Sequence, residues 1–172
     1  KMFDVRAKRV RPGLDDKVLT SWNGLMLGAI ARASVVLGEE QYLSAAHKNV
    51  AFIKKNLWDD KEKRLYHRWR DGSRDEAQIF DTHAYLLSGL VELYGVTLDN
   101  NYLSFSIEVA DRMIAAFYDK EAGGFFQSTG TKDLILRLKE DYDGAEPSGN
   151  SVAVYALLKL AAITGNKSYR EV

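Results

Sequence analysis

Apolar positions along the chain fall into two alternating kinds of segment. Residues 20–37, 81–98 and 148–164 are apolar nearly all round and rich in Ala, Leu and Gly, and each keeps one charged residue in its body: Arg32, Glu92 and Lys159. Helices without a clear polar face are those enclosed on most sides. Residues 40–57 and 100–117 instead carry an apolar stripe at helical spacing. In the first of these, Tyr42, Ala46, Val50, Ile53 and Leu57 share a face, while Gln41, Ser44, Lys48, Lys54 and Lys55 point elsewhere. The pattern predicts buried inner helices alternating with outer helices that are wet on one side. Gly38 suits the left-handed position after the first inner helix, and Asp99 or Asn100 suits the N-cap of the second outer one.

Between helix pairs the period drops from 3.6 to 2. Residues 64–69, 124–129 and 134–139 have the aromatic and β-branched content of short strands, punctuated by Asp71-Gly72 and Gly130, and predict small hairpins or extended loops. The whole arrangement repeats. An offset of 60 carries Tyr42-Leu43 onto Tyr102-Leu103, Leu57-Trp58-Asp59 onto Phe117-Tyr118-Asp119, and Leu65-Tyr66 onto Phe125-Phe126; an offset of 67 then carries Tyr102 onto Tyr169. Arg32, Glu92 and Lys159 keep the same register. An inner helix, an outer helix and a long return loop, repeated at this length, suit a closed ring of helical hairpins. Open superhelices of helix pairs compete, but their commoner repeats run about 34 to 47 residues with short loops. The expected fold is therefore all-α, an α/α toroid fragment of about two and a half hairpins. It is a single partial domain over 1–172 with repeats 20–80, 81–147 and 148–172.

Composition narrows the function. Lys and Arg balance Asp and Glu at 24 each, which removes the long-range attraction that a nucleic-acid groove or an anionic membrane needs. With no cysteine, the chain has no disulfide, Cys-ligated metal or thiol catalysis of its own. No apolar run reaches the roughly 18 residues of a membrane span. Lys1-Met2-Phe3-Asp4 lacks a signal-peptide core, and both termini fit the interior of a longer protein, expected in the cytoplasm. Neither phosphate-binding glycine motif is present, and three scattered histidines with no H-x-x-x-H spacing predict neither cofactor nor metal.

Two stretches, Arg9-Val10-Arg11-Pro12-Gly13-Leu14-Asp15-Asp16-Lys17-Val18-Leu19-Thr20-Ser21-Trp22-Asn23-Gly24-Leu25-Met26 and Asp143-Gly144-Ala145-Glu146-Pro147-Ser148-Gly149-Asn150-Ser151, are long and specific. They resemble a family of thioredoxin-domain-containing proteins. The resemblance implies an N-terminal thioredoxin-like domain followed by an (α/α)6 toroid similar to six-hairpin glycosidases and to the N-acylglucosamine 2-epimerase group. This chain would be a middle part of that toroid, with the remaining hairpins and the thioredoxin-like domain as its partners in the full-length protein. A carbohydrate-like ligand is the implied small molecule, and a non-catalytic helical scaffold is the alternative, since architecture alone is a weak warrant for chemistry.

Candidate site residues follow from the ring. Loops entering the inner helices share one end, and the repeat puts Asn23, His83 and Asn150 at equivalent helix starts next to Trp22, Thr82 and Gly149. His83 and the acids Asp81 and Asp143 are the catalytic candidates: histidine exchanges protons near neutral pH, and glycoside hydrolysis needs two carboxyl groups across one bond. Asp143 belongs to a run of acids with Glu140, Asp141, Glu146 and, further off, Asp133. Trp22, Asn23, Asn150, Tyr66 and Trp69 are the candidate substrate contacts, with flat rings offered to sugar C–H faces. Helix capping and core packing are the plain alternatives for the same residues.

Overall fold

A computed structural model describes residues 1–130 and 134–172. Three inner helices, α2 (Thr20–Leu37), α4 (Phe80–Thr97) and α6 (Gly149–Thr164), alternate with two outer helices, α3 (Glu40–Asn56) and α5 (Asn100–Phe117). A short exposed helix, α1 (Met2–Ala7), precedes them, and a 3-10 turn over Lys167–Arg170 follows. Each inner helix ends on a residue in the left-handed region: Gly38 at φ 68°, Leu98 at φ 54° and Gly165 at φ 72°. In each case the cap N–H returns to the carbonyl four residues back. Asp99 then caps α5 by accepting from the Asn101 N–H at 2.9 Å, and Asn166, its repeat equivalent, accepts from Ser168 N–H at 3.1 Å.

The inner helices lie side by side and parallel. Gly24 meets the backbone of Tyr85 and Leu86, and Gly28 one turn on meets Gly89, so α2 and α4 approach almost backbone to backbone. Further along, the Glu92 carboxylate holds Arg32 of α2 at 2.9 Å and Lys159 of α6 on its other oxygen. The three charged exceptions of the repeat thus form one cluster across the three inner helices. The middle helix, α4, buries eleven of its residues, whereas α2 and α6 leave Met26, Val35, Val36, Val154 and Leu158 exposed. The outer helices run antiparallel and turn their stripes inward: Val50, Ile53 and Leu57 from the α3 segment, Phe105, Val109, Met113 and Phe117 from α5. Burying one such side chain is worth roughly 1.5–3 kcal/mol.

The first return loop forms two small sheets, a hairpin of β2 (Trp58–Asp59) with β3 (Arg64–Leu65) and a three-stranded sheet in the order β1 (Val18–Leu19), β4 (Arg68–Arg70), β5 (Ser73–Arg74). Asp71 and Gly72, both at positive φ, make the tight turn between β4 and β5. Among its described residues the second return loop keeps only isolated bridges, Tyr118 with Phe125 and Ile79 with Ser128. Residues 134–139 take the extended-loop form: Leu134, Ile135, Leu136 and Leu138 are exposed, and a backbone bond from Gln127 N–H to Leu138 O joins the segment to the rest of the loop. Arg137 and Lys139 instead clamp the Phe126 ring and bond Ser128 O and Asp119, fixing residues 137–148 as a strap over the inner-helix N-termini. Asp133 lies outside the described residues. Among the described residues, no helix is long and apolar enough to cross a membrane.

Candidate functional site

Where the strap passes over the starts of α4 and α6 it leaves a cleft of about 280 Å³, lined by Asp81, Tyr85, Gln127, Glu140, Tyr142 and Glu146 among others. Asp81 comes from the first turn of α4. Its Oδ2 accepts from Gln127 Nε2 at 3.2 Å, and the same Nε2 donates to Glu140 Oε2 at 2.6 Å, so one amide bridges two carboxylates. Asp81 Oδ1 is shut off from solvent without a hydrogen bond, against Gly149, where a Cβ would collide with it. Burial, reinforced by the charges of Glu140 and Glu146, raises the Asp81 pKa above the ordinary carboxylate value despite the Gln127 bond. Tyr85 is pushed up in the same way, burial first and then Asp81, Glu146, Glu140 and Asp143, while its hydroxyl donates to Pro147 O. On the far side, Trp22 Nε1 of α2 donates to Glu146 Oε1 at 2.6 Å and ties the strap to the first hairpin.

The cleft therefore gathers Asp81 and, at its edge, Trp22, with Asp143 close by in the strap. The Asp143 Oδ1 accepts from Ser148 N–H at 2.7 Å and thereby caps the start of α6. The other candidates go elsewhere. His83 is fully buried, its Nδ1 bonded to Ile79 O at 3.1 Å and its ring edge-on to Phe117; burial lowers its pKa to about 4. Asn23 makes the equivalent bond to Leu19 O and accepts from Asn49 of the outer helix. Asn150 grips the second return loop through Phe125 N–H and O. Tyr66 is buried beneath the guanidinium of Arg74, and Trp69 packs edge-on against Phe52. His67, half-buried and with its pKa lowered by burial, pairs with Thr82 Oγ1 at 3.1 Å. Among the described residues no three His, Asp or Glu side chains converge as a set of metal ligands.

Gln127 was not legible in the sequence as a site residue. Its one signal is its place directly after the Phe125-Phe126 pair, in which Asn150 holds the Phe125 backbone; its reach to Glu140 depends on how the strap folds back.

Parallel inner helices, antiparallel outer helices and long return loops at one end define the α/α toroid architecture. Solved structures agree. Cellobiose 2-epimerase from Spirochaeta thermophila superposes with a TM-score of 0.72 at 19% identity, over 90% of this chain and 41% of that one. A family 76 α-mannanase from Bacteroides thetaiotaomicron gives 0.71 at 17% identity, over 96% and 43%. No family model matches the chain. Its relatives by sequence include spermatogenesis-associated protein 20 of Rattus norvegicus, 35% identical over 182 residues, and of Homo sapiens, 33% over 181. In both comparisons the match takes in 99% of this chain and spans 23% of the relative's length.

Proposed function

We propose that this segment, as one part of a toroid with repeats 20–80, 81–147 and 148–172, supplies a carbohydrate site to a larger thioredoxin-domain-containing protein. The observation that carries the reading is one cleft that brings Asp81, partly buried and with its pKa raised by that burial, beside the acids Glu140 and Glu146. Aromatic rings stand at its edge. Hydrolysis of a glycosidic bond needs a carboxylic acid to protonate the leaving oxygen and an ionised carboxylate across the ring. Asp81 takes the first role and Glu146 or Glu140 the second. Trp22 and Tyr142 offer exposed ring faces to sugar C–H groups. A hydrolase-like reading is favoured over an epimerase-like one because His83, the histidine nearest the cleft in sequence, is sealed beneath it with Nδ1 engaged.

The test uses the full-length protein with cellobiose, α-linked mannobiose and D-mannose, following Trp22 fluorescence for binding and chromatography for products. Asp81→Asn is expected to leave binding in place and reduce turnover by about a hundredfold or more, the scale of general acid catalysis. No binding of any probe, with Asp81→Asn altering stability alone, would favour the scaffold reading, in which Asp81, Asp143 and Asn150 serve as caps and ties.

A further inference from the structure

Away from the acidic cleft, a hollow of about 390 Å³ opens where the first return loop meets α5 and the second return loop, lined by Glu62, Arg64, Tyr66, Gln78, Arg112 and Thr129. Three of these residues hold a buried polar atom without a partner: Arg64 Nε, Gln78 Oε1 and Arg112 Nε. Folded proteins leave few such atoms, and here three of the residues lining one space, two from the first return loop and one from α5, each hold one. Arg64 spends its Nη2 on Glu76, at 2.7 Å from the carboxylate. Arg112 has no carboxylate partner among the described residues. The repeat sharpens the point. At the offset of 60, Arg112 and Thr129 correspond to Phe52 and Trp69, which close the same joint in the first hairpin with ring centroids 5.5 Å apart. One copy seals the contact between outer helix and return loop with an aromatic pair, and the next leaves it open, polar and cationic.

We propose that this hollow binds a hydrogen phosphate group, a tetrahedral oxyanion that keeps one proton. Guanidinium N–H groups of Arg64 and Arg112 donate to its ionised oxygens, with the Thr129 and Tyr66 hydroxyls in support. Its P–OH donates to Gln78 Oε1, an acceptor that a fully ionised anion cannot satisfy. The Glu62 carboxylate at the rim works in the same direction, repelling a fully ionised guest and accepting from a protonated one. Free phosphate and the phosphoryl group of a small ester share this chemistry.

The full-length protein is titrated with inorganic phosphate, glucose 6-phosphate and sulfate at matched ionic strength, by calorimetry and thermal shift. Saturable phosphate binding is expected, weakened about tenfold or more in Arg112→Gln and at least as much for sulfate in the unaltered protein, the loss of a charge-assisted or donor bond in each case. Thr129→Trp, which fills the hollow as the first hairpin does, should abolish binding even if Arg112→Gln fails to fold. Tighter binding of glucose 6-phosphate assigns the ester as ligand, and tighter binding of the free ion assigns phosphate; either supports the site. Absent saturation, unchanged affinity in a folded variant, or sulfate held as tightly as phosphate would overturn it.

Discussion

Leu98 closes α4 at φ 54° and ψ 22°, a conformation that its repeat equivalents Gly38 and Gly165 reach with glycine. An L-residue there brings its Cβ close to the following carbonyl, at roughly 1–2 kcal/mol. Leu98 is 70% exposed, so its side chain recovers little of that through packing. Comparing Leu98→Gly with Leu98→Ala removes the side chain in both variants and leaves only the backbone preference. At an ordinary helical position Ala is better than Gly by about 0.5–1 kcal/mol. Here the order should reverse, with Gly ahead by about 1 kcal/mol, because the freedom Gly has in the unfolded chain is outweighed by the strain that Ala retains. For a domain of this size that corresponds to roughly 2–4 °C in melting temperature. Thermal and urea unfolding of both variants in the full-length protein read it directly. If the Ala variant equals or exceeds the Gly variant, the left-handed cap at Leu98 is not a strained position and the reasoning fails.

Two further outcomes follow from the same interior. Gly24→Ala places a Cβ 2.5 Å from Leu86 N and 2.6 Å from Tyr85 C, backbone atoms that cannot swing aside, so it should destabilise by roughly 1–3 kcal/mol. Gly28→Ala, whose Cβ would sit an ordinary 3.5 Å from Gly89 Cα, should be neutral or better; equal losses in calorimetric scans of the two would refute the close approach. His83 has its pKa lowered from 6.5 to about 4 by burial, so the unfolded chain takes up the proton first and stability should fall with decreasing pH across that window, by about 3 kcal/mol in all. His83→Asn adopts the residue that Asn23 supplies in the first repeat and does not titrate; urea unfolding between pH 7 and 4.5 should show a flatter profile, and an unchanged slope would discount His83 as its source.

Helix positions were readable because burial on one or most sides imposes a period that composition cannot hide, and the 60- and 67-residue offsets then aligned the helix starts. The offset was less informative about where polar heads point. Asn23 and His83 occupy equivalent positions and both bond the carbonyl four residues back, Leu19 O and Ile79 O, which turns them along the helix and away from the cleft. Asn150, at the third equivalent position, reaches instead to a loop 25 residues earlier. Periodicity places a Cβ on a face but does not say which acceptor a short polar side chain will choose. The alternation of 134–139 left hairpin and extended loop open; the segment runs as a loop because it has little strand neighbour along its edge, and Arg137 and Lys139 pin it largely by their side chains.

Glu92 serves two cations from two different hairpins, one on each carboxylate oxygen. Burial alone would raise its pKa, yet the Lys159 and Arg32 hydrogen bonds hold it below the ordinary value, so the carboxylate stays charged between them. In most repeat arrays each unit communicates only with the next. Here the first and third inner helices share one acceptor on the second, and a change in tilt that draws Lys159 away alters what Arg32 is holding. Beside the backbone packing of neighbouring helices, Glu92 thus gives the first and third inner helices one shared side-chain contact, a place where movement at one hairpin can be felt two hairpins away.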